Sequence, residues 1–264
     1  MVEYTKIDIP RLKLEQKIKG GYDQNIYTFD IETSSGYLWP GKSVVEPFDY
    51  EKQPLEYRNA VKVGLCYEWQ FGINGQYYYG RELRDFGKLL KILDAIPGKK
   101  IIWVHNLGFE QAYLMNLFFP QKLFARSAHH VIYMDYSDKI TFRCTYQLTH
   151  MALKTWGKEL GVEKIEDYDY DSIRTPLTPL DPDEKEYGQR DLEIVYAGIK
   201  KMLEIYKSVQ KIPLTQTGRV RREGQKLFTN DPKYRYKMAR LLPKNAAEYA
   251  LLREAFSGGN VHAN

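Results

Sequence analysis

Asp30 and Glu32, in the run YTFDIET, stand two residues apart, so on an extended strand their side chains share one face. Two like charges held together on a buried strand repel each other and are costly to desolvate. A divalent cation relieves both problems. Magnesium or manganese suits such a pair, because these hard ions prefer carboxylate and water. Alone the pattern is weak. A D-x-E triplet arises about once by chance in a chain this long, and a solvent-facing strand end explains it equally. A second group, His105-Asn106-Leu107-Gly108-Phe109-Glu110, directly follows the apolar run Ile101 to Val104. Asn106 suits a helix cap and Glu110 suits a first helical turn, where the helix dipole favours an anion. Those are complete structural explanations. The functional one puts Glu110 at the C-terminal edge of a central strand, where open α/β sheets bind ligands. A third group, Tyr187-Gly188-Gln189-Arg190-Asp191, has Tyr187 and Asp191 on one helix face, beside an apolar stripe of Leu192, Ile194, Val195 and Ile199. A hydrogen-bonded surface pair is the alternative. Together the groups supply four acids, a tyrosine and an asparagine. Such a set could hold two metals about 3.5–4 Å apart for in-line attack on a phosphate, with Tyr187 orienting the attacking water.

The elements that must position these residues follow from periodicity. Residues 1–25 read as an irregular, basic lead-in, and Ile26 to Ile31 as a short strand ending in acid. Ser34 to Pro54 carries Gly, Pro and Ser and reads as a loop. Ala60 to Phe71 alternates with period two, with Val61, Val63, Leu65, Tyr67 and Trp69 on one face, as in a half-buried strand. Asn74-Gly75 signals a hairpin returning through Gln76 to Tyr79. Phe86 to Leu93, Phe109 to Phe119, Leu148 to Leu160 and Asp183 to Gln210 have helical character, while Ile101 to Val104 reads as a buried central strand. Val131 to Tyr136 and Lys139 to Cys144 form a second hairpin around Ser137-Asp138, and Ile165 to Asp181 is a loop. Thr215 to Phe256 reads as short basic helices broken at Asp231-Pro232 and Pro243. This order predicts a mixed α/β fold, a central sheet flanked by helices, followed by a basic, mainly helical segment.

Composition bounds the rest. The chain has 264 residues, 43% hydrophobic and 14% aromatic, which suits a globular core rather than disorder. No apolar run approaches the roughly 20 residues of a membrane span, and the charged start has no signal-peptide core. Cys66 and Cys144 make neither a disulfide framework nor a zinc knuckle and read as reduced packing residues. His129, His130, His150 and His262 lack ligand spacing and read as structural or surface groups. The net charge of +5 is uneven. From residue 200 onward 14 bases face 5 acids, a net +9, against 25 bases and 29 acids before it, a net −4. A solvated helical surface explains the basic end; so does nucleic acid, whose phosphates Lys and Arg neutralise.

At YTFDIET, VHNLGFE and YGQRD the sequence resembles the proofreading 3′–5′ exonuclease domain of family B DNA polymerases, in particular the protein-primed, phage-type branch. All three motifs match in order and context. The resemblance implies an RNase H-like exonuclease fold over 26–210, with 1–25 as lead-in and 211–264 as a basic helical connector. It implies two divalent cations, Mg2+ or Mn2+, on Asp30, Glu32, Glu110 and Asp191, with Tyr187 positioning water and Lys164 as a catalytic lysine. It assigns Thr33, Asn106, Phe109 and Leu148 to the single-stranded 3′ end. Phe256-Ser257-Gly258-Gly259 resembles the Tyr-x-Gly-Gly linker that meets template DNA, with Phe replacing Tyr. Arg219, Arg221, Arg222 and Lys226, then Lys233, Arg235, Lys237 and Arg240, are interleaved with Phe228, Tyr234 and Tyr236, a pattern that tracks a DNA backbone while bases stack. Two departures stand out. Glu110 replaces the usual Asp, so its carboxylate moves outward, and Gln147 stands where a small hydroxyl residue is common. No palm-domain carboxylate motif follows. The implied partners are single-stranded and primer-template DNA, a polymerase domain in cis or as a separate chain, and a terminal priming protein. The implied setting is cytoplasm, that of the host if the chain is phage-encoded, and no membrane. A non-catalytic DNA-binding or assembly fragment, or a free-standing nuclease acting on RNA, are the alternatives.

Overall fold

Alternating β-branched and aromatic residues build the sheet, and amphipathic helices cover it. The computed structural model describes residues 4–9, 14–42, 46, 59–165, 169, 172–229 and 243–257. In chain order these form β1 (Tyr4–Lys6), β2 (Ile18–Lys19), β3 (Tyr22–Asp23), β4 (Tyr27–Leu38), β5 (Val61–Ile73), β6 (Gln76–Gly80), α1 (Leu83–Ala95), β7 (Lys100–Val104) and α2 (Leu107–Leu114). Then come β8 (Lys122–Ala125), β9 (Val131–Asp135), β10 (Ile140–Cys144), α3 (Thr145–Thr149), α4 (Leu153–Leu160), α5 (Pro182–Tyr206), a 3-10 turn, α6 (Gln216–Thr229) and α7 (Ala246–Ser257). The chain divides into two compact units, Met1–Gln216 and Thr217–Asn264.

In the first unit eight strands form one mixed sheet in the order β1-β6-β5-β4-β7-β10-β9-β8, and β2 and β3 pair apart from it. β4, β5 and β6 make the expected antiparallel meander, and β7 and β10 run parallel to β4. This is the mixed α/β arrangement the sequence predicts, and it is consistent with an RNase H-like fold.

The strand alternation separates two cores. Tyr27, Phe29 and Ile31 of β4 join Ile102 and Val104 of β7 and the buried face of α1. There Phe29 stacks on Phe86 at 4.1 Å between ring centroids. Burying each such side chain contributes about 1.5–3 kcal/mol. Ile101 and Trp103 of β7 face the other way and pack with Trp156 of α4 and Ile194, Val195 and Ile199 of α5. Asp30 and Glu32 alternate with the first set, so they belong to the face that α5 covers.

Several local expectations are corrected. Residues 1–25 are not wholly irregular: β1 adds in parallel to the β6 edge, and β2 and β3 form a separate hairpin. β4 does not stop after Ile31. It runs on to Leu38, with a bulge against β5 between Glu32 and Thr33, so the paired acids lie mid-strand. Ser34 is held there by the chain at Arg174, whose backbone N–H donates to Ser34 Oγ at 3.1 Å. α2 ends at Leu114 rather than Phe119, because the next residues turn back, with Phe118 N–H bonded to the Leu114 carbonyl. The single helix expected over 148–160 is two helices, split where His150 adopts φ 55° and closes α3 with its N–H on Tyr146 O. β8 was not foreseen at all.

α5 starts on a capping box between Asp181 and Glu184, with Pro182 in its first turn. It ends at Tyr206, a turn short of Gln210. Lys100 is 1% exposed, and its ammonium donates to the carbonyls of Ile96, Pro97 and Gly98 in the turn that follows α1. Both cysteines are free thiols. Among the described residues no helix is long and apolar enough to cross a membrane.

In the second unit, α6 carries Arg219, Arg221, Arg222 and Lys226, of which the last three are exposed. α7 follows Pro243 and opens on Asn245, whose Oδ1 accepts from the Glu248 N–H at 2.9 Å. Asp231-Pro232, the bases Lys233 to Arg240, His262, Gly258 and Gly259 lie outside the described residues, as do the side chains of Phe228 and Phe256.

Candidate active site

β4 and α5 bring three of the four predicted acids together. One carboxylate oxygen from each of Asp30, Glu32 and Asp191 lies within 4.8 Å of the others. Glu32 and Asp191 are buried, at 9% and 5% exposure, and Asp30 is half-buried. Glu110, in the first turn of α2, does not join the triad directly. It lies close enough to Asp30 for the two carboxyls to influence each other's charge.

The electrostatics follow from burial. Asp30 is pushed up to about 7, first by desolvation and then by the charge of Asp191. Glu32 is held well above the usual carboxylate range by burial, then by Asp30, Asp191 and Glu68. Glu110 is raised by burial and by Asp30. Asp191 is raised by burial, against the pull of Lys164. Lys164 sits in the loop after α4. Its ammonium lies 2.5 Å from Asp191 Oδ2 and 4.8 Å from the centre of the Tyr187 ring. Burial works against that ammonium, but Asp191, with Asp30 and Glu32 behind it, outweighs burial and holds Lys164 above its usual range.

A divalent cation fits this donor set. The four acids offer hard oxygen ligands. Two of their buried oxygens, Asp191 Oδ1 and Glu110 Oε2, have no hydrogen-bond partner. Buried polar atoms are nearly always satisfied, so each orphan calls for a missing partner.

Residues of α2, with Gly64 of β5 and His129, line a cavity of about 550 Å³ that also takes in Asn106, Gly108, Phe109 and Tyr113. Asn106 is not the expected side-chain cap. It adopts φ 63°, in the left-handed region, and makes no side-chain cap hydrogen bond, so its amide is left to line the cavity. Phe109 is 43% exposed. Thr33, just past the bulge, is in hydrogen-bond contact with the Tyr113 phenol. Leu148 is 0% exposed and packs within the core under α5, which removes it from any strand-facing surface. Gln147 is buried too. His105 of the same motif is stacked on Trp156, bonded through Nδ1 to Thr145 Oγ1 at 2.9 Å, and lowered to about 4 by burial and Lys164.

Three residues escaped sequence reasoning. Glu68 and Gln70 of β5 are both 0% exposed, on the strand face expected to meet solvent. Gln70 Nε2 donates to Glu32 Oε1 at 3.3 Å. Arg174 is ion-paired with Glu184 and donates to the Asp169 and Ser172 carbonyls, tying the loop after Lys164 to the start of α5. The one available signal was a glutamate and a glutamine alternating with Tyr67, Trp69 and Phe71 in the strand beside the acids.

No protein-family model matches the chain, and no curated protein matches it. Among solved structures, the chain is similar to Phi29 DNA polymerase complexed with primer-template DNA, at 14% identity and a TM-score of 0.50 over 73% of this chain. An orthorhombic crystal form of the same polymerase gives 14% identity and 0.49 over 73%. The chain spans about a third of that polymerase's length, 33% in the primer-template complex. The likeness is one of fold.

Proposed function

We propose that this chain is a two-metal 3′–5′ exonuclease module, of the proofreading kind found in family B DNA polymerases, that removes nucleotides from the 3′ end of single-stranded DNA. The observation that carries this reading is the convergence of Asp30, Glu32 and Asp191 within 4.8 Å, from a central strand and a helix distant in sequence. The fold it shares with a phage DNA polymerase supports it.

Asp30, Glu32 and Asp191 would hold the ions, Mg2+ or Mn2+, with Glu110 steadying Asp30. Bound divalent ions would supply the charge that makes water a nucleophile at neutral pH and neutralises the departing 3′ oxygen. Tyr187, buried at 4% and one helical turn before Asp191, orients the attacking water. Lys164 fixes Asp191 and shields the cluster's negative charge from the approaching phosphate. Asn106, Thr33 and the exposed ring of Phe109 hold the frayed strand, the ring by stacking on a base. Arg219, Arg221, Arg222 and Lys226 neutralise backbone phosphates, and Phe256, Gly258 and Gly259 lead toward a polymerase domain in cis or as a separate chain. The products are nucleoside 5′-monophosphates. The setting is cytoplasm, and a terminal priming protein is a partner in the protein-primed version of this reading.

The test is digestion of a 5′-labelled DNA strand with Mg2+, beside an RNA strand of equal sequence. A 3′-to-5′ ladder on DNA that is lost in Asp30→Ala and Asp191→Ala is the expected result. Activity unchanged in both variants would sink the reading, and preference for the RNA strand would redirect it to RNA.

A further inference from the structure

β5 runs antiparallel to β4, and Glu68 is the residue directly opposite Glu32. The next matched pair on that face is Asp30 with Gln70. Glu68 and Glu32 therefore lie on the same side of the sheet, with Glu68 at 0% exposure and Glu32 at 9%. Cross-strand neighbours on one face have Cβ atoms about 4.5–5.5 Å apart, and like charges there are destabilising. Gln70 accounts for itself, because its amide donates to Glu32. Glu68 brings a further carboxylate to the face that holds Glu32, and its charge raises the Glu32 carboxyl.

The local backbone keeps it there. The register shifts between Glu32 and Thr33: Glu32 pairs with Glu68 but Thr33 pairs with Cys66, which leaves Tyr67 as the extra residue on β5. Bulges of this kind re-aim side chains and recur next to active sites. Glu32 and Glu68 are the last pair of the continuous register that runs from Tyr27 opposite Ile73, so they sit at the edge of the bulge and on one face of the sheet. Glu68 is nevertheless outside the triad whose oxygens converge within 4.8 Å. It is placed to act on a cation through Glu32 rather than as a ligand.

We propose that Glu68 is a positioning residue, a carboxylate behind Glu32 that raises the affinity of the acidic cluster for a divalent cation at a cost to the metal-free fold. The inference rests on the nuclease reading above. Its logic is a change of sign. Without a cation, the charge of Glu68 opposes that of Glu32. With a cation on Glu32, the same charge attracts it, and groups just outside a coordination shell are typically worth about 10–100-fold in metal affinity.

The experiment is calorimetric titration of the full chain with Mn2+, beside thermal melts in EDTA, for wild type, Glu68→Gln and Glu68→Asp. Glu68→Gln is expected to weaken Mn2+ binding about tenfold and to raise the metal-free melting temperature by about 2–4 °C. Glu68→Asp, which keeps the charge, is expected to recover most of the affinity. A residue that merely packs would move the two readouts differently, lowering the melting temperature and leaving the affinity alone. Mn2+ affinity of Glu68→Gln within twofold of wild type overturns the inference while the nuclease reading stands. A wild-type chain that binds no Mn2+ overturns both.

Discussion

Lys164 and Asp191 are joined at 2.5 Å across a gap of 27 residues, and the same ammonium lies 4.8 Å from the ring centre of Tyr187. The contact binds the loop after α4 to the middle of α5. It also places a cation against the acidic cluster. Lys164 thus supplies a counter-charge in the metal-free fold, and it sits where it can line up Asp191 and Tyr187 together.

Replacing Lys164 with Met keeps much of the side chain's bulk and removes the charge. Breaking a mostly buried pair by deleting one partner costs about 3–5 kcal/mol. Asp191 can take up a proton, so the expected loss in EDTA is nearer 2 kcal/mol. Saturating Mn2+ supplies the missing positive charge and should close most of that gap. Urea melts of both proteins, with EDTA and with Mn2+, measure it. A loss equal in the two conditions would mean that the lysine only packs.

The raised carboxylates set a pH dependence whose sign can be worked out. In the unfolded chain aspartate titrates near 3.9, whereas Asp30 in the fold is held at about 7. Between those values the folded protein binds more protons than the unfolded one, so stability falls as pH rises. Glu32, Glu110 and Asp191 are shifted the same way and add to the trend. The upward shift of Lys164 acts only in the alkaline range, far above this window. Metal-free protein is therefore expected to melt highest near pH 5 and progressively lower toward pH 8. Saturating Mn2+, which favours the ionised acids, should flatten the trend. Melting curves across that range in EDTA check it, and Asp30→Asn should reduce the slope. A metal-free melting temperature that climbs from pH 5 to 8 would contradict it.

The acids themselves were legible because their neighbours follow local rules. A period of two put Asp30 and Glu32 on one face, and a spacing of four with an apolar stripe turned Asp191 inward. What surrounds them was not legible, because it is set from a distance. Ser34-Ser35-Gly36 has loop composition, yet β4 continues through it because β5 pairs along it and the chain at Arg174 bonds to Ser34. Glu68 and Gln70 look like the solvent side of a half-buried strand, and they are buried because α5, more than a hundred residues later, lies over that face. Asn106 has the composition of a cap, but the sharp turn out of β7 puts it at φ 63° and takes its side chain away from the helix end. Pattern identifies the chemistry-bearing residues, and tertiary cover decides which others join them.

Gly108 is where that cover leaves no room. It lies between Asn106 and Glu110 in the first turn of α2, and a Cβ built on it would sit 2.4 Å from the His129 carbonyl oxygen and 2.8 Å from the carbonyl carbon. Both are backbone atoms, so nothing flexible can step aside. Gly108→Ala must push the start of α2 away from the chain before β9, which carries Glu110 off Asp30 and Asn106 off the cavity. The strain is expected to cost about 1–3 kcal/mol. The rate of the proposed nuclease reaction should fall further than stability alone requires, by up to about a hundredfold, because a displacement near 1 Å in a catalytic constellation costs that much. Gly87→Ala in α1 is the control. Its nearest neighbour is a Leu117 methyl at 3.9 Å, and an alanine in a helix interior should stabilise by about 0.5–1 kcal/mol. Both variants are to be assayed at a temperature where both remain folded. If Gly108→Ala keeps wild-type activity there, the position of the α2 start does not govern the site.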